Sequence, residues 1–357
     1  MTAGLFSDFS LAGQMLKNRL VVAPMCQYSS IDGGPSNWHR RHLETLAISG
    51  AGLMMIESTA VTDEGRISSR DLVLNKPHQV RGFKNLLHAV KNFSNIPVVL
   101  QVSHAGRKGS AHVPWVKGGS HLSRNEGGWE TVSASSLSRS KEWPKPREMT
   151  GNEIDQMVRD FRCAAEKAID AGLQGVEIHM AHGYLLHQFL SPISNHRRDR
   201  YGGTLENRCR FPLEIIQEVR ASVPSTFIVG ARVTGDDWLS GGWGIEDCIF
   251  LCERLKEMGV DYVCVSSGGI VPITNLKFKT GFQTHLAQQV KANVNISTRT
   301  AGMITDPKHA EKIIQEGIAD MVGIGRPLIK DPWFVYRAAK DLGAVFSIPE
   351  PYKRCLF

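Results

Sequence analysis

The chain has 357 residues, of which 42% are hydrophobic, and a formal net charge of +7. Its basic residues are spread along the chain among 35 acidic ones, which argues against nucleic-acid binding, because nucleic-acid-binding proteins concentrate their positive charge. No apolar run approaches the roughly 20 residues of a membrane-spanning helix, and residues 1–13 lack a signal-peptide pattern, so we expect a soluble, cytoplasmic protein that does not bind membranes.

Short β-rich segments recur along the chain as unbroken apolar runs. Such runs are typical of parallel strands that are buried on both faces of a sheet, whereas half-exposed strands alternate. The predicted strands are Arg19–Met25, Leu53–Thr59, Pro97–Ser103, Gly175–His179, Phe227–Val233, Tyr262–Ser266, Asn295–Thr300 and Met321–Gly325.

Helical patterns fill the gaps between these strands. They are Trp38–Ser49, Gln79–Asn92, Glu153–Ala171, Leu205–Ala221, Ile245–Met258, Gln283–Ala292, Pro307–Glu316 and Pro332–Leu342. Thr150 and Glu153 form a capping-box pattern at the start of the third helix. Eight strand–helix repeats predict an α/β fold, a (β/α)8 TIM barrel that makes residues 1–357 one domain. A doubly wound sheet is the alternative, but no GxGxxG follows the first strand.

Two segments depart from the alternation. Residues 109–148 follow the third strand and are rich in Ser, Gly, Pro and Trp. A connection of this length is functional or forms a small subdomain, so we expect a capping insertion, either a lid or a hairpin over the barrel mouth. Residues 344–357 lie beyond the last helix and form a proline-punctuated C-terminal tail.

The carboxyl ends of the strands are where a barrel of this type builds its active site. Strands seven and eight end in Gly302 and in Gly325-Arg326. Glycines allow backbone N–H groups to approach a phosphate closely, and an arginine adds a charge-assisted contact. These two ends therefore predict an anion site, although a turn with a surface charge would have the same sequence.

Strand four ends in the most informative segment, Glu177–Tyr184, which contains His179, His182 and Tyr184. Taken alone, the segment is compatible with acid–base chemistry, with a pair of metal ligands or with ordinary loop histidines. A metal site is disfavoured, because no third ligand with a suitable spacing follows, and we predict none.

The seven cysteines form no CxxC pair and no zinc-ligand spacing. Their odd number fits poorly with a disulfide framework and suits a reducing cytoplasm.

Four long motifs in the same order resemble the Old Yellow Enzyme family of FMN-dependent ene-reductases over nearly the whole chain. They are Ala-Pro-Met-Cys at 23–26, Gln-Val-Ser-His-Ala-Gly-Arg-Lys at 101–108, His-x-x-His-Gly-Tyr at 179–184 and Ser-Asn-His-Arg-Arg-Asp-Arg-Tyr-Gly-Gly-Thr-Leu-Glu-Asn-Arg at 194–208. Cys26 together with Tyr28 resembles the thermophilic-like bacterial branch, which includes the xenobiotic reductases.

The resemblance implies that FMN is bound at the barrel mouth and reduced by NADPH or NADH, and that hydride then passes from flavin N5 to the β-carbon of an α,β-unsaturated carbonyl or nitro compound. The residues implied to contact FMN are Ala23, Pro24, Met25, Cys26, Ala60, Gln101, Arg232, Gly302, Gly325 and Arg326. Gln101 and Arg232 are expected on the pyrimidine side of the flavin.

The same resemblance assigns roles to the segment after strand four. His179 and His182 are expected to donate N–H groups to the substrate oxygen as it gains negative charge. Tyr184 is expected to protonate the α-carbon. Cys26 and Tyr28 are expected to contact the substrate, with Cys26 at the flavin edge rather than acting as a nucleophile.

In the branch that the chain resembles, the C-terminal tail enters the active site of a neighbouring subunit. The resemblance therefore implies a homodimer or homotetramer in which Arg354 contacts the partner's substrate.

Two other flavin barrels remain as alternatives. A dienoyl-CoA reductase type normally adds an iron–sulfur cluster and a further nucleotide-binding domain, for which the chain shows no cysteine cluster. A dihydrouridine synthase would bind tRNA and would need a localised basic face.

Overall fold

A computed structural model describes residues 4–272 and 278–355. Its central sheet has nine parallel strands, one of which, the short strand Leu72–Val73, pairs with the end of strand Leu53–Ala60 at the edge of the barrel. The other eight form the barrel and are here called barrel strands 1 to 8 in chain order. They are Leu20–Val22, Leu53–Ala60, Val98–Ser103, Gly175–Met180, Ile228–Thr234, Tyr262–Ser266, Thr298–Ala301 and Met321–Ile324.

The sheet closes on itself through barrel strand 1. Val21 is in register with Leu53 of strand 2, and Leu20 is in register with Val322 of strand 8. Both pairings are parallel. Closure confirms the predicted (β/α)8 barrel and excludes the doubly wound sheet, which would have two open edges.

Helices alternate with the barrel strands and cover the outside of the sheet. The α-helices are Asn37–Ala47, Pro77–Lys91, Gly151–Ala171, Leu185–Leu190, Leu205–Ser222, Ile245–Glu257, Thr284–Val294, Pro307–Gln315, Arg326–Lys330 and Phe334–Asp341. The predicted capping box is present, because the Thr150 hydroxyl accepts the Glu153 N–H and the Glu153 side chain accepts the Thr150 N–H. The packing of apolar helix faces on the strands forms the main core.

A β-hairpin that the sequence analysis did not identify closes the amino-terminal end of the barrel. Its strands, Phe9–Leu11 and Gln14–Leu16, pair in antiparallel fashion around a turn in which Ala12 and Gly13 have positive φ. Leu11 and Leu16 pack into the barrel interior against apolar residues of the barrel strands. The hairpin thus seals one end of the barrel.

Two predicted strands each have one end that lies three residues from its position in the structure, whereas the other strand ends agree to within one residue. Barrel strand 1 stops at Val22 rather than Met25, and Pro24, which has no N–H, cannot continue a hydrogen-bonded ladder. Barrel strand 7 begins at Thr298 rather than Asn295, where the chain has a positive φ at the end of the preceding helix. Residues 23–25 therefore lie outside the strand, at the carboxyl end of the barrel.

The predicted insertion, residues 109–148, contains two short 3-10 turns, Lys117–Gly119 and Arg124–Glu126. Strand Val132–Ser133 pairs with Arg147–Glu148 in parallel, so these strands do not form the hairpin that we considered. None of the described helices is long and apolar enough to cross a membrane.

Candidate active site

The turn after barrel strand 4 places two histidines and a tyrosine together. The rings of His179 and His182 are 5.2 Å apart between centroids, and the rings of His179 and Tyr184 are 4.8 Å apart. His182 and Gly183 both have positive φ, which turns the chain sharply before the helix that begins at Leu185. This turn directs the three side chains into one site.

The hydrogen bonds of His179 determine where its ring proton lies. Its Nδ1 accepts the Ala181 N–H at 3.2 Å, so the neutral ring carries its proton on Nε2. Burial lowers the pKa of His179 well below its usual value, and the charges of Arg232 and Lys108 lower it further. His179 is therefore a neutral N–H donor at neutral pH.

His182 is held by a network that the sequence analysis missed. Its Nε2 lies 2.6 Å from the Ser266 hydroxyl, which also accepts a hydrogen bond from Gln283 Nε2 at 3.3 Å. The Ser266 hydroxyl, which accepts from Gln283, can donate its own proton to His182 Nε2, and in that arrangement the ring proton lies on Nδ1. Burial again lowers the pKa, so His182 also presents one N–H in its neutral form.

Tyr184 completes the group as a half-buried acid. Burial raises the pKa of its phenol well above the ordinary value, and the nearby Arg139 and Arg232 oppose that rise only in part. The phenol therefore keeps its proton at neutral pH and can donate it.

Lys108 fixes the strained turn. Its Nζ donates to the carbonyl of His182 at 2.7 Å and to that of Gly269 at 3.4 Å, and lies 4.6 Å from the Tyr184 ring centroid. A Cβ on Gly183 would lie 2.2 Å from the Gly269 carbonyl oxygen, so only glycine permits this approach of two loops. Lys108 belongs to the sequence motif at residues 101–108, but the spacing of that motif did not indicate this role.

On the far side of the barrel mouth, a cavity of about 750 Å³ lies between the ends of barrel strands 1, 7 and 8. Its lining includes six of the residues that were expected to contact a flavin, namely Ala23, Pro24, Met25, Gly302, Gly325 and Arg326. It also includes Thr305 and Lys330, which the sequence analysis missed. Glycine backbone with two cationic side chains suits a phosphate.

Gln101 and Arg232 lie on barrel strands 3 and 5, the two neighbours of strand 4, and their hydrogen bonding differs. Gln101 Nε2 donates to the buried carboxylate of Glu177 at 2.8 Å, which leaves its Oε1 without a partner among the described residues. Arg232 stands opposite His179 in the strand register, and its buried Nε has no hydrogen-bond partner within the described chain. An unneutralised guanidinium here fits the electron-rich edge of a flavin, so the residues present suit FMN.

Cys26, Tyr28 and Ala60 extend the site on the side of barrel strands 1 and 2. Burial and the charge of Glu57 raise the pKa of the Cys26 thiol well above its usual value, which argues against a nucleophilic role. Tyr28 has a φ of 48° and packs edge-on against Trp115 of the insertion at 5.9 Å. Ala60 ends barrel strand 2 as a buried residue.

Arg354 is not brought to the other predicted side chains in the single chain. It is exposed, and no hydrogen bond or ion pair joins it to any other described residue. The neighbouring Tyr352 packs against Trp333 at a ring distance of 5.1 Å. Within the described ranges, no cluster of three or more His, Cys, Asp or Glu side chains could hold a metal ion.

Comparison with known proteins places this site in a family. Residues 4–344 match the family model described as the NADH:flavin oxidoreductase / NADH oxidase family. The chain is 38% identical to the NADPH dehydrogenase of Geobacillus sp. (strain WCH70), over 99% of both proteins.

Two solved structures are similar over nearly the whole chain. Morphinone reductase in complex with tetrahydroNAD has a TM-score of 0.78 and 27% identity, covering 98% of this chain and 93% of that one. A 2-naphthoyl-CoA reductase complex has a TM-score of 0.85 and 25% identity, and this chain spans about half of it, 53%.

Proposed function

The chain belongs to the NADH:flavin oxidoreductase / NADH oxidase family, of the Old Yellow Enzyme type, and we therefore propose that it reduces the C=C bond of α,β-unsaturated carbonyl or nitro compounds. It is an NAD(P)H-dependent flavin oxidoreductase with FMN as its cofactor. The observation that carries the substrate proposal is the pair of neutral histidines 5.2 Å apart beside a protonated tyrosine.

The residues that would hold FMN come from both sides of the barrel mouth. Gly302, Gly325 and Arg326 would bind its phosphate, with Gln101 and Arg232 at its pyrimidine edge. When bound, FMN supplies hydride transfer, from the nicotinamide to the flavin and then to the β-carbon of the alkene. Arg232 would stabilise the negative charge of the reduced cofactor, since no carboxylate of the described residues forms an ion pair with it.

The histidines would hold the oxygen of the substrate. His179 offers Nε2–H and His182 offers Nδ1–H, and both remain neutral, so neither proton is lost to the substrate as its oxygen becomes negative. Fixed donors of this kind stabilise the transition state without reorganising during the reaction. Ser266 and Gln283 would act through His182 by fixing which nitrogen carries the proton.

Tyr184 would deliver the proton that the α-carbon needs. Hydride at the β-carbon and a proton at the α-carbon together saturate the double bond, and the nicotinamide supplies both electrons. The raised pKa of the phenol keeps the proton in place until the α-carbon becomes basic.

We also propose that the enzyme is a homodimer or homotetramer in which Arg354 contacts the substrate in a neighbouring subunit. Its exposure leaves the guanidinium available to a second chain. Sedimentation of the purified protein and the KM of Arg354→Ala test this. A monomer, or an unchanged KM, would contradict it.

Purification tests the main proposal directly. The protein should be yellow, lose its flavin absorption when NADPH is added without oxygen, and regain it with 2-cyclohexenone. A flavin that NADPH reduces but that no enone or nitroalkene reoxidises would overturn the substrate proposal.

The double variant His179→Ala/His182→Ala tests the site. We expect it to retain FMN and to lose the spectral shift that a bound enone causes. Loss of FMN instead would show that these histidines hold the cofactor rather than the substrate.

A further inference from the structure

We propose that Arg139 and Lys108 form a second anion-binding subsite, beside Tyr184, for a carboxylate or phosphate group carried by the reacting molecule. The inference rests on the proposed function, because it places the subsite next to the group that would protonate the substrate. It concerns residues outside the cavity with Gly302 and Arg326, whose lining includes neither cation.

Arg139 is a half-buried cation without an anionic partner in the described chain. Its guanidinium forms no hydrogen bond or ion pair with any residue in the described part of the chain, and its Nε is buried and unsatisfied. The guanidinium lies over the Trp143 ring at 4.9 Å, which holds it in place. Burying an unpaired charge is costly unless an anion compensates it, so an orientated, unpaired guanidinium indicates a ligand.

Lys108 and Arg107 are close enough to Arg139 for their charges to interact with it, and neither forms an ion pair with a carboxylate of the described residues. Lys108 Nζ donates to two backbone carbonyls, which leaves one of its three N–H groups. Arg107 donates to the carbonyls of Leu137 at 3.1 Å and Ile270 at 2.9 Å. Because Leu137 is two residues before Arg139, Arg107 also holds the segment that carries Arg139.

The three cations act on one another. Burial lowers the pKa of Lys108 to about 7 and that of Arg107 to about 10, and the charge of Arg139 contributes to both shifts. Other buried arginines of the fold are neutralised: Arg299 lies 2.5 Å from Glu177, and Arg197 lies 2.5 Å from Asp199. The positive charge beside Tyr184 therefore remains for a ligand to neutralise.

A guanidinium and an ammonium favour planar carboxylate or phosphate oxygens. Two reacting molecules can bring such a group to this position. The nicotinamide donor carries phosphates, and an activated alkene can carry a carboxylate. Since both would react at the same flavin face in turn, one subsite could serve either.

The test compares charged and neutral forms of each reactant in Arg139→Gln holoenzyme. The donors are NADPH and 1-benzyl-1,4-dihydronicotinamide, which has no phosphate. The acceptors are 3-oxocyclohexene-1-carboxylate and its methyl ester. We expect affinity for a charged form to fall by roughly tenfold or more, as for loss of a charge-assisted hydrogen bond, while the neutral forms change little.

The pattern identifies the source of the anion. A loss with NADPH alone assigns the subsite to the donor, a loss with the carboxylate alone assigns it to the alkene, and a loss with both supports a shared subsite. Equal changes for charged and neutral forms, or no change, would overturn the proposal.

Arg124→Gln, an exposed arginine of the same insertion, is the matched control and should alter neither affinity. The wild-type enzyme turning over the neutral donor with 2-cyclohexenone tests the proposed function independently of the subsite. Should Arg139→Gln fold poorly, as its melting temperature would show, Arg139→Lys replaces it and should retain part of the preference for charged forms. Equal affinity of Arg139→Lys for charged and neutral forms would contradict the subsite.

Discussion

Buried charged groups are paired in the barrel interior but keep unpaired polar atoms at the barrel mouth, although the same strands build both regions. In the interior, the Glu177 carboxylate accepts hydrogen bonds from Gln101, Tyr262 and Arg299 at 2.5–2.8 Å. At the mouth, Arg139 and Arg232 each keep a buried Nε without a partner in the described chain.

Barrel strand 4 shows the contrast within two residues. Glu177 and His179 point to the same side of the strand, because side chains repeat with a period of two. Glu177 is fully satisfied by the protein, whereas His179 Nε2 has no partner among the described residues. The paired charges of the interior therefore belong to residues that stabilise the fold. The unpaired groups at the mouth belong to residues that can bind a ligand.

The largest effect that this comparison predicts is in the interior. Arg299→Met should lower the free energy of unfolding by about 3–5 kcal/mol, because it leaves the Glu177 carboxylate buried without its cation. Urea denaturation followed by circular dichroism measures the loss. The double variant Glu177→Met/Arg299→Met should recover most of it, since removing both charges of a buried pair is often close to neutral. A single variant as stable as the wild type would mean that the pair does not stabilise the interior.

At the mouth, His179→Ala should lower the reaction rate and leave the stability of the protein nearly unchanged. The rate of flavin reoxidation by 2-cyclohexenone should fall roughly 10²–10³-fold, as when one oxyanion donor is removed, with little change in unfolding free energy. Stopped-flow absorbance measures the rate. His196→Ala, at an exposed histidine of the following loop, is the control and should leave the rate unchanged. A stability loss as large as that of Arg299→Met would place His179 with the interior residues instead.

The barrel could be predicted from the sequence because parallel strands buried on both faces require continuous apolar runs. All eight strands and eight helices that the pattern predicted are present, with shifted ends. The hairpin at residues 9–16 was missed because each of its strands has only three residues, too few to show a periodicity.

The contents of the site were predictable only in part. The ends of strands 7 and 8 predicted an anion site, and the family resemblance added the residues after strand 1; in the structure all three ends line one cavity. The Ser266 partner of His182 lies 84 residues away, and neither serine nor glutamine has a spacing that identifies such a contact. Arg139 is unpaired because the fold places acidic side chains away from it. The sequence does not show which acidic residues will be distant.

Two glycines with positive φ, one at each end of the barrel, allow the two ends to be compared by substitution. Gly13, in the hairpin turn at the closed end, has open space where a Cβ would lie, so Gly13→Ala should cost only backbone strain, roughly 1–2 kcal/mol of unfolding free energy. At Gly302 a Cβ would lie 3.0 Å from Gln283 Nε2, and Gly302 lines the cavity. Gly302→Ala should therefore also weaken FMN binding.

Quenching of flavin fluorescence measures the FMN affinity of both variants, and thermal unfolding measures their stability. The expected result is a stability loss in both and an affinity loss in Gly302→Ala alone. Weaker FMN binding in Gly13→Ala would show that the two ends of the barrel are coupled rather than separate.

The smallest expected effect concerns Lys108, whose pKa is lowered to about 7 by burial first and by Arg139 and Arg107 next. Below that pH Lys108 is charged and attracts an anion; above it Lys108 is neutral. Affinity for 3-oxocyclohexene-1-carboxylate should thus fall a few-fold as the pH rises from about 6 to about 8, the range in which a group of this pKa titrates.

The other groups that face Lys108 keep their charge state over this range. Arg107 has a pKa of about 10, the Tyr184 phenol remains protonated, and His179 and His182 remain neutral. The methyl ester should therefore show a flat profile, and Lys108→Met should flatten that of the carboxylate. An affinity that rises with pH, or an equal slope in Lys108→Met, would assign the titration to another group and remove Lys108 from the anion subsite, leaving Arg139 alone.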